Sequence, residues 1–437
     1  MRMQRIIVAG AGLAGCEAAW QLAIRGIGVD LWEMRPQVKS PAHKTDGFAE
    51  LVCSNSLGTI KPERAPGILK QEMSQLGSLI LDAAHSTKVK AGDALAVDRH
   101  NFSNFINKKL EENPNINIIR RELTSLPVEP TIIATGPLTS ATLFNAIQDK
   151  IEIPYLYFHD AIAPIVEKNS IDYSKTFFQN RRDPGSAGDY LNCPMNRDEY
   201  INFVEILQNA ETIELKDFEK AKYFSGCMPV EALAKKGLNT LRFGPLKPVG
   251  LEPPPPLNPS PYAVVQLRQE KVVNDAFNMV GFQTNLKYKA QKDVFRLIPG
   301  LNNAEFIRYG QMHRNSYINS PQLLNNELAL KNAPHIYFAG QILGVEGYME
   351  SAAMGLLVGI NLALKVLQRK IIHFPKETAL GALYYYLLNE DIKNFQPMNI
   401  NFSLFDSDFK GKKKEEKRKY ISDRSVQLIK QIREQYL

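Results

Sequence analysis

Cysteine is scarce in this chain: four residues in 437, with no Cys-x-x-Cys pair. That spacing excludes a disulfide-stapled scaffold and a zinc ribbon, and it fits a reducing cytoplasm. Histidine is thin as well. His43, His85, His100, His159, His313, His335 and His373 show no metal-ligand spacing, so no metal is assigned. No uninterrupted apolar run approaches the ~18 residues of a membrane span, so no membrane partner is expected. The apolar start, Ile6 to Leu13, enters a glycine turn and lacks a signal-peptide pattern. Gly-x-Ser-x-Gly, Walker A and kinase motifs are all missing, and no internal repeat is evident. What is present is an ordinary soluble composition, 44% hydrophobic and 23% charged, which excludes disorder, collagen and coiled coil. At ~150 residues per domain, the length suits two or three domains.

The net charge of +7 is unevenly placed. From Asp408 to Leu437 there are ten basic residues against five acidic ones, so most of the excess sits in the last thirty residues. Lys410 to Lys419 is the densest run, and apolar residues at 421, 426, 429 and 432 continue it with helical spacing. Such a run reads either as a solvated helix face or as phosphate contact with nucleic acid.

The N-terminus has the grammar of a dinucleotide site. Gln4 to Ala9 reads as a buried parallel strand, and Gly10-Ala11-Gly12-Leu13-Ala14-Gly15 supplies a G-x-G-x-x-G turn. Glu17 to Ile24 reads as a helix with Gly26 as its cap, and Val29 to Glu33 as a second strand ending on an acid. The motif alone is weak, but strand, helix and an acid ~20 residues on complete its context. The glycines admit a pyrophosphate at a helix N-terminus, and Glu33 accepts hydrogen bonds from the adenosine ribose.

Two later segments bear on which dinucleotide. Thr131 to Gly136 is a strand ending in Ala-Thr-Gly, and His335 to Gln341 is another ending in Gly340-Gln341, followed by a small-residue helix from Glu350 to Leu367. A late strand, glycine and helix resemble the glutathione-reductase type of FAD domain. The expected fold class is therefore α/β, a Rossmann-like FAD-binding domain with an inserted α+β domain. The divisions expected are 1–165 for the N-terminal part, 166–330 for the insertion after the strand-like Ala161 to Val166, and 331–437 for the C-terminal part with its basic tail. Seven prolines between Lys247 and Tyr262 read as a polyproline II loop.

With flavin in view, cysteine is the other chemical candidate. Cys53 lies in Leu51-Val52-Cys53-Ser54-Asn55-Ser56, and Cys227 in Gly226-Cys227-Met228-Pro229. Pro229 suits the first position of a helix over Val230 to Lys236, which would put Cys227 beside a helix N-terminus that lowers a thiol pKa. Read from spacing alone, each of these is either a nucleophile or a buried thiol. Cys16 and Cys193 read as buried thiols.

These residues resemble a known family. The Val8 to Gly15 run, Glu33-Met34-Arg35-Pro36, Pro41-Ala42-His43, Leu51 to Leu57, Gly226 to Glu231, Tyr262 to Arg268, Met312 to Asn315, Asn319-Ser320-Pro321, Gly344-Val345-Glu346-Gly347-Tyr348, Glu350 to Ala353 and Phe395 to Asn399 closely resemble TrmFO, the folate- and FAD-dependent tRNA uracil-5-methyltransferase family. The blocks run in order over nearly the whole chain. The related GidA flavoproteins share the FAD-domain style but are longer, and their signature is not read here.

The resemblance implies methylation of C5 of uridine in RNA, at the T-loop of the tRNA T-arm. It implies FAD, 5,10-methylenetetrahydrofolate as one-carbon donor and NAD(P)H as reductant. Cys227 falls on the family's nucleophile and Cys53 on its second cysteine, either the base that removes the C5 proton or a thiol near the flavin. Tyr348 is expected to stack on flavin or target base. The proline loop at 253–261 departs from the family, and some TrmFO-like proteins are thought to act on 23S ribosomal RNA, so that target stays open. A small-molecule flavin oxidoreductase is the alternative class.

Overall fold

Ile6–Ala9, all apolar with three branched residues, forms the central strand of a six-stranded sheet. Its register places Val8 opposite Leu31 on one side and Ile132 on the other, both parallel. The sheet order is Ala329–Leu330, Ala333–Phe338, Thr131–Ile133, Ile6–Ala9, Val29–Trp32 and Ile116–Ile119. The chain first builds outward on one side of the central strand and then returns to the other. A switch of this kind opens a crevice at the carboxyl ends of the strands. Gly10, Glu33, Gly136 and Gly340 all follow directly or closely on those ends. The computed structural model describes residues 5–151, 156–181, 188–213, 228–257, 260–269, 276–389, 395–411 and 413–437.

The helix Leu13–Ala23 packs against the long helix Tyr348–Val366 at unusually short range. A Cβ at Gly355 would come within 2.2 Å of the Ala14 carbonyl oxygen, so only glycine lets the two backbones meet there. Tyr348–Val366 is the one described helix long and apolar enough to cross a membrane, yet 83% of its most apolar window is buried in the protein. It is a core helix.

A second six-stranded sheet is antiparallel, in the order Phe177–Phe178, Tyr190–Met195, Ala263–Gln269, Ala276–Met279, Ile165–Glu167 and Phe306–Arg308. Its core draws on residues from Val166 to Ala304, whereas the core of the parallel sheet draws on residues up to Ile151 and from Tyr317 onward. The strands Leu156–Ile162 and Gln311–Tyr317 pair antiparallel as a separate ribbon.

Several boundaries differ from the sequence reading. The first helix starts at Leu13, four residues before Glu17, because extended Gly12 is its cap and the small residues of the glycine motif already wind. Ile24 is the C-cap, and Gly26 forms the left-handed turn two residues later. The stretch Ala161 to Val166 is broken at Ala163-Pro164, since proline has no N–H to continue a ladder. The helix after Cys227 is short, Val230–Ala234, and Pro229 caps it in extended conformation instead of opening its first turn. The C-terminal helix begins at Lys414, inside the basic run, and takes in its second half, whose Lys, Glu and Arg are good helix formers. The described residues of the proline loop are mostly exposed, with Leu251, Pro253 and Pro261 buried.

Candidate active site

The glycine turn is built by mutual exclusion. Gly10 has φ +95°, and a Cβ on Gly15 would sit 1.7 Å from the Gly10 carbonyl oxygen, so turn and helix close on each other only without side chains. Gly12 is different: a Cβ there would meet nothing within 4 Å. No side chain caps the helix at this end and Gly12, its cap residue, lines a cleft, the arrangement that suits a phosphate. Ala11 donates its N–H to Glu33 Oε2 at 2.9 Å, and the Arg35 guanidinium donates to Glu33 Oε1 at 2.8 Å. Burial opposes the charge on Glu33, but the Arg35 and Ala11 contacts outweigh it and hold the carboxyl below its ordinary value. Glu33 thus stays an anion beside a cleft of about 570 Å³ lined by Gly10, Gly12, Trp32, Arg121, Thr135 and Leu138.

A larger cavity, about 1260 Å³, lies further along. Leu138 lines both, in the short helical turn Gly136–Leu138 that follows the Ala-Thr-Gly strand end. Cys53, Gln341, Glu346, Tyr348, Glu350, Lys70 and Asn399 line the second space. Tyr348 opens the long helix, which also has no side-chain cap. Its hydroxyl accepts the backbone N–H of Cys53 at 2.7 Å and of Ser54 at 3.3 Å. Gln341 donates to Glu346 at 2.7 Å, and Asn399 donates to the Glu346 carbonyl at 2.6 Å.

Three arginines hold the Cys53 loop. Arg308 donates to the carbonyls of Val52 at 3.1 Å and Cys53 at 3.0 Å. Arg99 reaches the carbonyls of Leu51 and Cys53. Arg268, almost fully buried, donates to Ser54 Oγ at 2.7 Å and Asn55 Oδ1 at 2.9 Å. Arg268 and Arg308 come from the antiparallel sheet, whereas Arg99 and Tyr348 each open a helix that packs in the first core. Lys70 and Glu350 face the same cavity as a buried pair. Burial pulls the Lys70 ammonium down and pushes the Glu350 carboxyl up, against their mutual attraction.

Comparison with known proteins decides the family. A protein of Bacillus subtilis (strain 168) named methylenetetrahydrofolate–tRNA-(uracil-5-)-methyltransferase TrmFO is 52% identical over 433 residues, 99% of each chain. A protein of the same name from Staphylococcus saprophyticus is 53% identical over 426 residues, 97% of each chain. The chain belongs to the TrmFO family. Residues 5–370 also match the family model for glucose inhibited division protein A, so the chain belongs to that wider family too, a likeness not read from the sequence. The Aquifex aeolicus GidA structure in its form II crystal superposes with a TM-score of 0.73 at 18% identity, covering 99% of this chain and 73% of that one. At that identity the likeness concerns the fold, an α/β arrangement of the flavoprotein type.

Within this TrmFO family member, the structure brings Gly10, Gly12 and Glu33 together at one cleft, and Cys53, Gln341 and Tyr348 together at the next. Ala11, Leu13, Ala14 and Gly15 form the turn and first helical residues beneath, and Gly340 packs on Ala14. Gly136 shapes the turn between the cavities. Cys227 lies outside the described residues. Cys16 and Cys193 are free and fully buried, as read from the sequence, and burial raises both thiols. Sequence reasoning missed Lys70, Arg99, Arg268 and Arg308. Arg268 had a signal, since it ends the quoted Tyr262 to Arg268 block; the other three sit in ordinary surroundings until the chain folds.

Proposed function

We propose that this chain methylates C5 of a uridine in tRNA, at the T-loop of the T-arm, with 5,10-methylenetetrahydrofolate as donor and NAD(P)H as reductant. The observation that carries the reading is the meeting of Cys53, Gln341 and Tyr348 in one cavity, reached from the glycine cleft, in a chain half identical to TrmFO proteins throughout. The residues fit FAD. A helix start with no side-chain cap at Gly12 on the first cleft, an anionic Glu33 beside it and a second such helix start at the large cavity suit a pyrophosphate, a ribose and a flavin ring in that order. Gly10 to Gly15, Glu33, Gly136, Gly340, Gln341 and Tyr348 would hold it. FAD, when bound, supplies the redox chemistry and the relay of the one-carbon unit.

The chain's own residues do the rest. C5 of uracil is a poor nucleophile. Addition of the Cys227 thiolate to C6 moves electron density onto C5, which then attacks the one-carbon unit. Cys53 takes the C5 proton, and Cys227 departs by elimination to restore the uracil. Tyr348, Arg99 and Arg308 hold the backbone that carries the Cys53 thiol, and Arg268 holds the side chains of Ser54 and Asn55 beside it. The target base must leave its loop stack to reach them. The division into a split FAD-binding part, 1–165 and 331–437, and an insertion over 166–330 belongs to the same proposal. The two cores support such a split, but Tyr317 to Leu330 pack in the first core, so the insertion is proposed to end before Tyr317 and not at 330. A cytoplasmic location completes it.

A T-arm minihelix carrying 5-fluorouracil tests the mechanism. A denaturation-resistant protein–RNA adduct is expected, and Cys227→Ala should abolish it while keeping the flavin absorbance. An adduct that survives in that variant sinks the nucleophile assignment. Mass spectrometry of nucleosides from tRNA and ribosomal RNA, with and without the gene, tests the target: 5-methyluridine lost from ribosomal RNA alone overturns the tRNA reading.

A further inference from the structure

We propose that Tyr288, backed by Tyr309, is a stacking platform for a nucleobase of the RNA substrate; the proposal rests on the RNA reading above. The rings form a ladder that climbs out of the second core. Phe282 and Phe295 are fully buried and meet edge to face at 5.4 Å. Phe295 contacts Phe306 at 6.3 Å, Phe306 stacks on Tyr309 at 5.4 Å and 22°, and Tyr309 stacks on Tyr288 at 5.1 Å and 25°. The last ring, Tyr288, is 48% exposed. The packing thus turns from edge-to-face inside to nearly coplanar outside, and among the described residues it reaches the surface at Tyr288, with Tyr309 behind it.

Position supports a substrate role over a bare extension of the core. Tyr309 directly follows Arg308, whose guanidinium holds the carbonyls of Val52 and Cys53. Tyr288 directly follows the stretch 283–287, to which both flanks of the Cys227 segment are bonded. Ile213 donates to the Asn285 carbonyl at 2.9 Å, Lys287 to the Glu211 carbonyl at 3.0 Å, and Val230 to the Gln283 carbonyl at 2.7 Å. The ladder therefore stands between the loop that carries Cys53 and the anchors of the segment that carries Cys227.

Charge selects the partner. Exposed Lys287 and Lys289 flank Tyr288, and Lys287 is paired with Glu211 at 3.1 Å. An exposed ring with the cation Lys289 next to it in sequence suits a base and its phosphate, the mode by which single-stranded loops are bound. An extruded target base leaves a neighbour in the loop without its stacking partner, and Tyr288 offers a replacement.

The test is equilibrium binding of a T-arm stem-loop RNA to the full-length protein, read by fluorescence anisotropy. Tyr288→Ala should weaken binding roughly tenfold to a hundredfold, the usual loss for one stacked base, with the salt slope unchanged because no charge is removed. Tyr288→Phe keeps the ring and should bind within about twofold of the parent. Far-UV circular dichroism checks that both variants are folded. Parent-level binding by Tyr288→Ala overturns the platform, as does an equal loss in Tyr288→Phe, which would place the effect on the hydroxyl. A parent protein that fails to bind the stem-loop overturns the RNA reading itself, and the platform with it.

Discussion

Removing the Arg268 guanidinium should open the Cys53 loop while leaving the two cores intact. Arg268 makes two charge-assisted bonds to the loop, to Ser54 Oγ and Asn55 Oδ1. Each such bond is worth about 1.5–3 kcal/mol net. Asn55 is fully buried and its Nδ2 is tied to the carbonyls of Val97 and Gln269, so Arg268→Ala takes the charge-assisted bond from a side chain that is held in place. Arg308, Arg99 and the Tyr348 hydroxyl still hold residues 51–54, so part of the loss is absorbed there. A net local loss of about 3 kcal/mol follows, which raises the open population of the loop roughly a hundredfold.

Hydrogen exchange reads that population directly. The amides of Cys53 and Ser54 are bonded to Tyr348, and the Asn55 carbonyl accepts from Val97, so a peptide covering 51–58 reports on the loop. Its protection should fall by about two orders of magnitude in Arg268→Ala. Peptides from the central strand Ile6–Ala9 and the strand Tyr190–Met195 should keep theirs. Arg268→Lys should lie between, since an ammonium cannot reproduce the two-pronged contact. Methyl transfer should fall with the protection while FAD content stays constant. Unchanged protection over 51–58 in Arg268→Ala would refute the claim that the antiparallel sheet positions Cys53.

Glu72 gives a pH signature. It accepts the N–H groups of Ala379 at 2.5 Å and Leu380 at 2.8 Å and the Ser425 hydroxyl, tying three helices, and burial pushes its carboxyl up from 4.5 to about 7. The folded value lies above the unfolded one, so the native state binds the extra proton, and stability falls as pH rises from about 4.5 to 7, by about 3 kcal/mol at full effect. Glu72→Gln should flatten that decline in urea unfolding at pH 5 and pH 7.5; an identical decline in both proteins would contradict it. The basic tail gives a salt signature. Lys413→Gln with Lys414→Gln should weaken RNA binding and reduce the slope of log K against log salt by roughly 0.7–0.9 for each phosphate no longer neutralised, with FAD content unaffected. An unchanged slope would leave the tail as a solvated face. Lys412, in the same run, lies outside the described residues.

The dinucleotide half of the site was legible because its physics is local. Gly10 and Gly15 exclude each other's side chains within one turn, and Glu33 sits one strand away, so spacing along the chain already encodes the contact. The lining of the second cavity was legible only where a sequence block carried it, as with Cys53 and Tyr348. Nothing in the surroundings of Arg308, with exposed Ile307 before it, separates it from a surface arginine until the antiparallel sheet brings it to residues 255 and 256 positions earlier. Tyr288 shows the same limit: as the opening of a short helix it reads as an ordinary exposed ring, and only the folded ladder through Tyr309 gives it a direction. The basic tail illustrates the reverse. Its charge was plain in sequence, but its helix carries Glu415, Glu416, Asp423 and Glu434 among the cations and turns Ile421, Ile429 and Ile432 inward onto the core. Net charge over a segment therefore overstates what one helix face presents. The four acids leave phosphate contact to a narrower set of lysines, and the paired Lys413→Gln and Lys414→Gln measurement asks whether that set is enough.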